Sequence, residues 1–223
     1  MEANQGASQV YGIERHTLCL ASISGDTIRS RFALGTLGIT EPSEIHLVDF
    51  DSDEKALSST VYKHKCGIRA LESTPWSASQ LLVINHGAAV ASLPVELVEL
   101  PEDNLETEPC TQERPVKSIA ELDISSAESS LPRSLACHPA SYCQQAAVVS
   151  PTEVSIWEVG QGKFEHMHSI SASRYSLEEI QAAAWHPTNA FHLSTTDDMC
   201  VRSWDLRADP KNMQTMTIDY AHS

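Results

Sequence analysis

Apolar and polar residues alternate in short runs along most of the chain, and the alternation is clearest between Ile180 and Arg207. Two apolar alternating segments separated by a His186-Pro187 pair are followed by a turn rich in Thr and Asp. A last alternating segment then ends at Trp204-Asp205. Alternation over four to eight residues between turn residues is typical of β-strands. The stretch therefore predicts one antiparallel sheet.

The same order of features occurs earlier in the chain, where a His-Pro pair at His138 precedes a Trp-Glu pair at Trp157. His138 and His186 lie 48 residues apart, and Trp157 and Trp204 lie 47 residues apart. Two landmarks with nearly the same spacing indicate an internal repeat. A period of about 40–50 residues ending in a Trp-Asp pair is typical of WD-repeat β-propellers. We therefore predict an all-β fold of this type.

The pattern divides the chain into a polar leader and one partial propeller. The leader, residues 1–9, is expected to be disordered. The propeller spans 10–223, with blades at approximately 11–64, 66–124, 131–171 and 180–220. An acidic insertion at 101–116 lies in the second blade, and we interpret it either as a solvated surface loop or as a docking loop for a basic partner.

Four blades do not complete the common seven-bladed ring. Seven blades of about 40–45 residues need roughly 300 residues, and the chain has 223. A propeller closes only when both faces of every blade meet a neighbour. We therefore expect an incomplete ring from a truncated product, or alternatively an unusual ring of four blades.

The negative net charge of the chain limits the classes of ligand that it can bind directly. Fifteen Lys and Arg residues stand against thirty Asp and Glu residues, for a formal net charge of -15. Nucleic acids and anionic lipids are bound by clusters of basic residues, so we expect no nucleic acid ligand and membrane association only through a partner. The N-terminus has neither a basic nor an apolar signal region, which predicts a cytoplasmic protein.

No motif predicts catalysis or a cofactor. The six cysteines form no CxxC pair and are interpreted as thiols in a reducing compartment. His138 with Cys143, or His166 with His168, could begin a metal site, but neither pair has a second pair of ligands at a zinc-like spacing. Nucleophile elbows, phosphate-binding Gly loops and HExxH sequences are absent from the sequence. We therefore expect no enzyme activity, cofactor or metal.

The residues singled out by the repeat are predicted to have structural roles. Trp157 and Trp204 end the third strand of their blades. A buried indole needs an acceptor for its N–H group. In the last blade, Ser194 or Thr195 together with Asp197 could form a hydrogen-bond chain to Trp204.

Four strings carry a resemblance to a known family: Val10–Glu14, Glu44–Asp51, Ala184–Pro187 and Val201–Arg207. Together and in this order they resemble the EARP- and GARP-interacting protein family of WD-repeat proteins. The first two strings are the more discriminating, since the others occur in many propellers. The chain would correspond to the first four of the seven blades in that family.

This resemblance implies a non-enzymatic cytosolic adaptor whose partners are subunits of the EARP and GARP tethering complexes. It would work at the trans-Golgi network and recycling endosomes, in endosomal recycling, retrograde transport and dense-core-vesicle sorting. Two alternatives stay open. Trp204–Arg207 fits the WDxR pattern, so Asp205 and Arg207 could bind the adaptor of a cullin-RING ubiquitin ligase. The chain could also be a truncated product without a function of its own.

Overall fold

The fold was analysed in a computed structural model, which describes residues 9–38, 42–86, 95–101, 114–122, 131–160, 162–175, 177–209 and 212–219. The described residues form four sheets that follow one another along the chain and are antiparallel except for one short parallel pairing. A single 3₁₀ turn, Ser173–Tyr175, is the one helical element among them.

The four main strands of each sheet pair with one another in the order in which they occur along the chain. Blade 1 comprises β1 (Thr17–Ser22), β2 (Ser30–Thr36), β3 (Ser43–Asp51) and β4 (Ala56–His64). Blade 2 comprises β5 (Gly67–Ser73), β6 (Gln80–His86), β7 (Val95–Glu99) and β9 (Lys117–Leu122). The short β8 (Arg114–Pro115) lies between β7 and β9 in the chain but joins the sheet of blade 1. Blade 3 comprises β10 (Ser134–Cys137), β11 (Gln145–Val149), β12 (Glu153–Gly160) and β13 (Lys163–Ser171). Blade 4 comprises β14 (Ala182–Trp185), β15 (His192–Thr196), β16 (Val201–Asp205) and β17 (Gln214–Ile218).

The sheets are arranged side by side around an axis. The first strands β1, β5, β10 and β14 contact one another in that order, and the outer strands β9 and β13 also meet. Radial repetition of four-stranded sheets with the first strand innermost is the architecture of a β-propeller. The predicted fold, an incomplete WD-repeat propeller of about four blades, is confirmed.

The hydrophobic core lies between the blades. Strand β6, in the middle of blade 2, contributes side chains to the apolar clusters on both of its faces. Leu81 and Val83 pack in the apolar cluster between blades 1 and 2, whereas Leu82 and Ile84 pack in the cluster between blades 2 and 3. Successive side chains of a strand point to opposite faces of the sheet. A run without polar residues is therefore required wherever both faces are covered, and all four side chains are almost completely buried.

A β-bulge recurs at one place in three blades. It lies between the third and fourth strands of each sheet, immediately before Val98, Trp157 and Trp204. Val98 is therefore the counterpart of the two tryptophans in blade 2, and Glu99 is the counterpart of Glu158 and Asp205. In blade 1 the equivalent pair, Val48-Asp49, lies in a regular ladder. An acidic residue thus follows this position in all four blades.

The outward faces of blades 1 and 4 keep exposed apolar residues. Val10–Leu20 carries apolar residues of both parities, but β1 begins at Thr17 and Leu20 is 64% exposed. The face of blade 1 that carries Leu20 has no neighbouring sheet among the described residues. On the far face of blade 4, Met216 and Ile218 are exposed for the same reason.

The acidic insertion is described only at its ends. Residues 102–113, like residues 1–8 of the predicted leader, lie outside the described residues. Where the chain is described again, Arg114-Pro115 pairs in parallel with Tyr62-Lys63 on the outer edge of blade 1. The insertion was interpreted either as a surface loop or as a docking loop, and neither interpretation included this strand addition.

Replacing Gly35 by Ala should destabilise the protein by about 1–3 kcal/mol, because it overpacks a filled core. A Cβ atom on Gly35 would lie 2.6 Å from both Cys19 Sγ and Ile68 Cγ2, between blades 1 and 2. Gly12 is a matched control, since nothing lies within 4 Å of a Cβ atom there. Urea denaturation of both variants measures the effect. Equal stability of the two variants would contradict the proposed packing of blades 1 and 2.

Candidate protein-interaction site

Trp204, one of the predicted structural residues, is buried with its indole N–H hydrogen-bonded. Its side chain is fully buried, and Nε1 donates to Thr195 Oγ1 at 2.9 Å. The ring of Tyr175 packs edge-on against the indole with the centroids 4.8 Å apart. Tyr175 comes from the loop between blades 3 and 4. Its contact with Trp204 therefore packs the segment that precedes blade 4 against the third strand of that blade.

The hydrogen-bond chain predicted around Trp204 consists of one bond, from the indole N–H to Thr195. Thr195 accepts from the indole, while Ser194 pairs across the ladder with Ser203 on the opposite face of β15. Ser194 is therefore not the acceptor, because adjacent residues of a strand face opposite ways. Asp197 accepts from the Cys200 amide at 2.9 Å and pairs with Arg202 at 3.2 Å. It fixes the turn between β15 and β16 and makes no bond to the indole.

Trp157 occupies the same position in blade 3 but satisfies its indole differently. Val148 stands in β11 where Thr195 stands in β15, so no hydroxyl faces the ring from the neighbouring strand. Nε1 donates instead to Ser155 Oγ at 2.9 Å, and His166 packs edge-on with the centroids 4.9 Å apart. The side chain is only partly buried.

The His-Pro landmarks of the repeat have a common role that sequence reasoning did not assign. In blade 3, His138 Nδ1 accepts from the Ala140 amide at 3.1 Å. In blade 4, His186 Nδ1 accepts from the Asn189 amide at 3.1 Å. Each ring closes the turn between the first two strands of its blade, which explains why the pair recurs with the period of the repeat.

Asp205 and Arg207, the candidate partner-binding pair, bind each other. Arg207 donates through Nε and Nη2 to the two carboxylate oxygens of Asp205, at 3.0 and 2.7 Å. These hydrogen bonds hold the pKa of Asp205 well below its usual range. The guanidinium also lies over the Phe191 ring, 5.1 Å from its centroid. Arg207 nevertheless leaves 58% of its side chain exposed.

The two strings that discriminate the family meet in the fold. Tyr11, from the first string, has its hydroxyl 2.8 Å from His46 Nδ1, in the second. His46 Nε2 is 3.1 Å from Glu44 Oε2, and Arg15 and Lys63 bind the same carboxylate at 3.0 and 2.8 Å. We call these five residues the N-terminal cluster. Their spacing in the sequence contains no signal for this contact.

The N-terminal cluster is held by charge. Burial on its own would raise the pKa of Glu44, but hydrogen bonds from Lys63 and His46 and the charge of Arg15 outweigh burial and lower the pKa. Glu44 is therefore ionised at neutral pH. Its carboxylate ties the residues preceding β1 to the third and fourth strands of blade 1.

A second buried carboxylate, Glu96, lies at the junction of blades 1 and 2. Asn85 Nδ2 donates to it at 2.9 Å, Lys65 Nζ is 3.2 Å away, and His64 Nε2 is 3.4 Å away. Burial alone would raise the pKa of Glu96, but these groups and Ser118 hold it below its usual range. Since Lys65 bridges the two blades, the arrangement is a structural junction.

Other classes of site find little support in the described part of the chain. No group of three or more His, Cys, Asp or Glu side chains could hold a metal ion there. The five cysteines within it are unpaired. In the same residues we find no helix long and apolar enough to cross a bilayer.

Replacing Thr195 by Val should cost about 1–3 kcal/mol of unfolding free energy, because the buried indole N–H then lacks an acceptor. Ser194→Ala, one position away on the opposite face, is the matched control and should change stability by no more than about 0.5 kcal/mol. Chemical denaturation followed by Trp fluorescence measures both. A larger loss for Ser194→Ala would contradict the assigned hydrogen bond.

Comparison with known proteins places these features in a family context. No family model matches the chain. It is 25% identical over 236 residues to the EARP-interacting protein homolog of Danio rerio and 22% identical over 236 residues to the EARP and GARP complex-interacting protein 1 of Homo sapiens. Each alignment covers 97% of this chain and 58% of the relative. It is also 22% identical to the WD repeat-containing protein DWA2 of Arabidopsis thaliana, covering 95% of this chain and 57% of that protein.

Solved structures support the fold. Sqt1 from Chaetomium thermophilum superposes with a TM-score of 0.60 at 16% identity, over 95% of this chain and 50% of that one. The structure of Sqt1 bound to the N-terminus of the ribosomal protein L10 superposes with a TM-score of 0.61 at 14% identity. This superposition covers 93% of the present chain and 52% of the Sqt1 chain. The chain thus spans between half and three fifths of the proteins it matches. The resemblance predicted from the four strings is confirmed: the chain is similar to part of the length of the EARP- and GARP-interacting WD-repeat proteins.

Proposed function

We propose that this chain acts as a non-enzymatic adaptor that associates with subunits of the EARP and GARP tethering complexes. In this role it supports endosomal recycling, retrograde transport and dense-core-vesicle sorting. It acts from the cytoplasm, at the periphery of the trans-Golgi network and recycling endosomes, and reaches membranes through its partners. The coarser part of this role, a WD-repeat scaffold for proteins, rests on the fold and on the relatives together.

The observation that carries the proposal is the extent of the similarity. Relatives named for their interaction with EARP and GARP align with 97% of the chain. The N-terminal cluster adds a structural reason, since it joins the two discriminating strings through the contact between Tyr11 and His46. At the level of the fold, Sqt1 bound to the N-terminus of L10 illustrates a protein segment as ligand. Because the chain spans 58% of these relatives, the surface that binds the complexes must lie within that share for the proposal to hold.

Affinity purification tests the proposed association. The tagged 223-residue chain is expressed in cells beside a tagged full-length relative, and EARP and GARP subunits are quantified in both eluates by mass spectrometry. We expect both proteins to recover the complexes. Recovery by the full-length relative but not by this chain would overturn the proposal, since the binding surface would then lie outside the aligned part. Tyr11→Phe, which removes one hydroxyl from the N-terminal cluster, reports whether that cluster takes part.

A second function is favoured by the geometry of Arg207. Asp205 and the Phe191 ring hold its guanidinium in place while more than half of the side chain stays exposed. An arginine fixed in this way loses little side-chain freedom on binding, which favours it as an interface residue. In a substrate receptor of a cullin-RING ubiquitin ligase, it would contact the propeller adaptor of the ligase.

Arg207→Ala tests this alternative. If the chain is such a receptor, the substitution should abolish recovery of the ligase adaptor in a pull-down, because the charged contact at the corner of the blade is lost. Arg174→Ala is the matched control, since Arg174 is also exposed and lies over an aromatic ring, that of Tyr175. Unchanged recovery with Arg207→Ala would remove the receptor hypothesis.

A further inference from the structure

A notch separates blades 1 and 2 on the side where the first two strands of each blade are connected. One wall is the β1–β2 loop, residues 23–29, and the other is the β5–β6 loop, residues 74–79. The cavity measures about 650 Å³, which lies within the range of small-ligand and peptide side-chain pockets. Its floor is apolar and is formed by Leu47, Tyr62 and Leu100.

The two walls are fixed to each other. The Ser24 amide donates to Ser73 Oγ at 3.1 Å, and the two serine hydroxyls are 2.8 Å apart. A Cβ atom on Gly25 would lie 2.4 Å from the Ser77 carbonyl oxygen. Only glycine allows the loops to approach this closely. The notch is therefore preformed, and binding would not have to order its walls.

The rim of the notch presents an apolar side chain from a turn whose backbone is held by hydrogen bonds. Asp26 Oδ1 accepts from the amides of Ile28 and Arg29, both at 3.0 Å, so the turn is closed by its own side chain. Ile28 is 93% exposed. Large apolar side chains on ordered loops beside a pocket are typical of protein-interaction sites.

The charge at the rim indicates which peptide fits. Arg31 is already paired with Asp26 and Asp49, at 3.4 and 2.6 Å. Arg29 is exposed, and within the described ranges no carboxylate oxygen lies within 4 Å of it. Its charge acts on Asp26 without a direct ion pair. Arg29 is thus an exposed cation at the mouth of the notch, on a chain whose net charge is -15. An acidic ligand is the complement of this one spot.

We propose that the notch binds an extended segment of a partner protein in which a bulky apolar residue is followed closely by Asp or Glu. The apolar side chain enters the cavity beside Ala78 and Ile28, and the carboxylate pairs with Arg29. This inference deepens the proposed adaptor role and rests on it for the expectation that the partner is a protein. It names the site and the chemistry of the segment that the site recognises.

Selection of peptides tests the notch without any tethering-complex subunit. A phage-displayed library of random 12-residue peptides is panned on the full 223-residue chain. Enriched peptides are then synthesised, and their binding is measured by fluorescence anisotropy. We expect a consensus with a bulky apolar residue and an acidic residue within a few positions. Ala78→Trp, which fills the cavity, should abolish binding of these peptides.

Charge reversal supplies a second variant that is independent of packing. Arg29→Glu lies on an exposed turn and should weaken binding about tenfold, because attraction becomes repulsion. Arg174→Glu, an equally exposed reversal in the loop between blades 3 and 4, should leave affinity within about twofold. Far-UV circular dichroism checks that each variant keeps its β-structure. If Ala78→Trp does not fold, Arg29→Glu alone decides.

Three outcomes would overturn the inference: no enrichment of peptides, a consensus that is basic or lacks an apolar residue, or equal binding by wild type and Arg29→Glu. The proposed function can fail independently. Loss of tethering-complex recovery with peptide binding intact would refute the proposed partner and leave the notch as a peptide site. Recovery of the complexes without peptide binding would refute the notch alone.

Discussion

Face-to-face packing of the sheets is the constraint on which the rest of the structure depends. A blade has little apolar area of its own, and it buries both faces only because a neighbour stands on each side. The three apolar clusters therefore lie between blades, and each contains residues of two blades. The inner blades 2 and 3 are covered on both sides. The outward faces of blades 1 and 4 keep exposed apolar residues such as Leu20 and Met216.

Polar groups at the junctions between blades add hydrogen bonds and ion pairs to this apolar packing. Trp185 on β14 donates its indole N–H to the Ala136 carbonyl on β10 at 2.8 Å, joining blades 3 and 4 at their inner strands. Glu96 joins blades 1 and 2 through Lys65 and His64. Apolar contact tolerates sliding, whereas a buried hydrogen bond is satisfied in one register only. These contacts favour one register between blades 1 and 2 and one between blades 3 and 4.

The repeat could be predicted from the sequence because its landmarks recur for physical reasons. His138 and His186 close equivalent turns, and Trp157 and Trp204 follow equivalent bulges. Blade 2 was harder to align, since Val98 replaces the tryptophan and only the bulge reveals the correspondence. To choose between Ser194 and Thr195 as the acceptor of the Trp204 indole, one must know which of the two faces the indole. Tyr11 with His46, and Gly25 with Ser77, are contacts between residues 35 and 52 positions apart, and no local pattern encodes them.

Both stems of the acidic insertion are anchored at one residue. Tyr62 donates its hydroxyl to the Pro101 carbonyl at 3.3 Å, and its backbone pairs with Arg114 where β8 joins β4. The ends of a loop held in this way are already close together, so lengthening the loop costs only a slowly growing closure entropy. Tyr62 thus makes this rim of the propeller a place where evolution can vary the number and kind of residues while the blades keep their geometry.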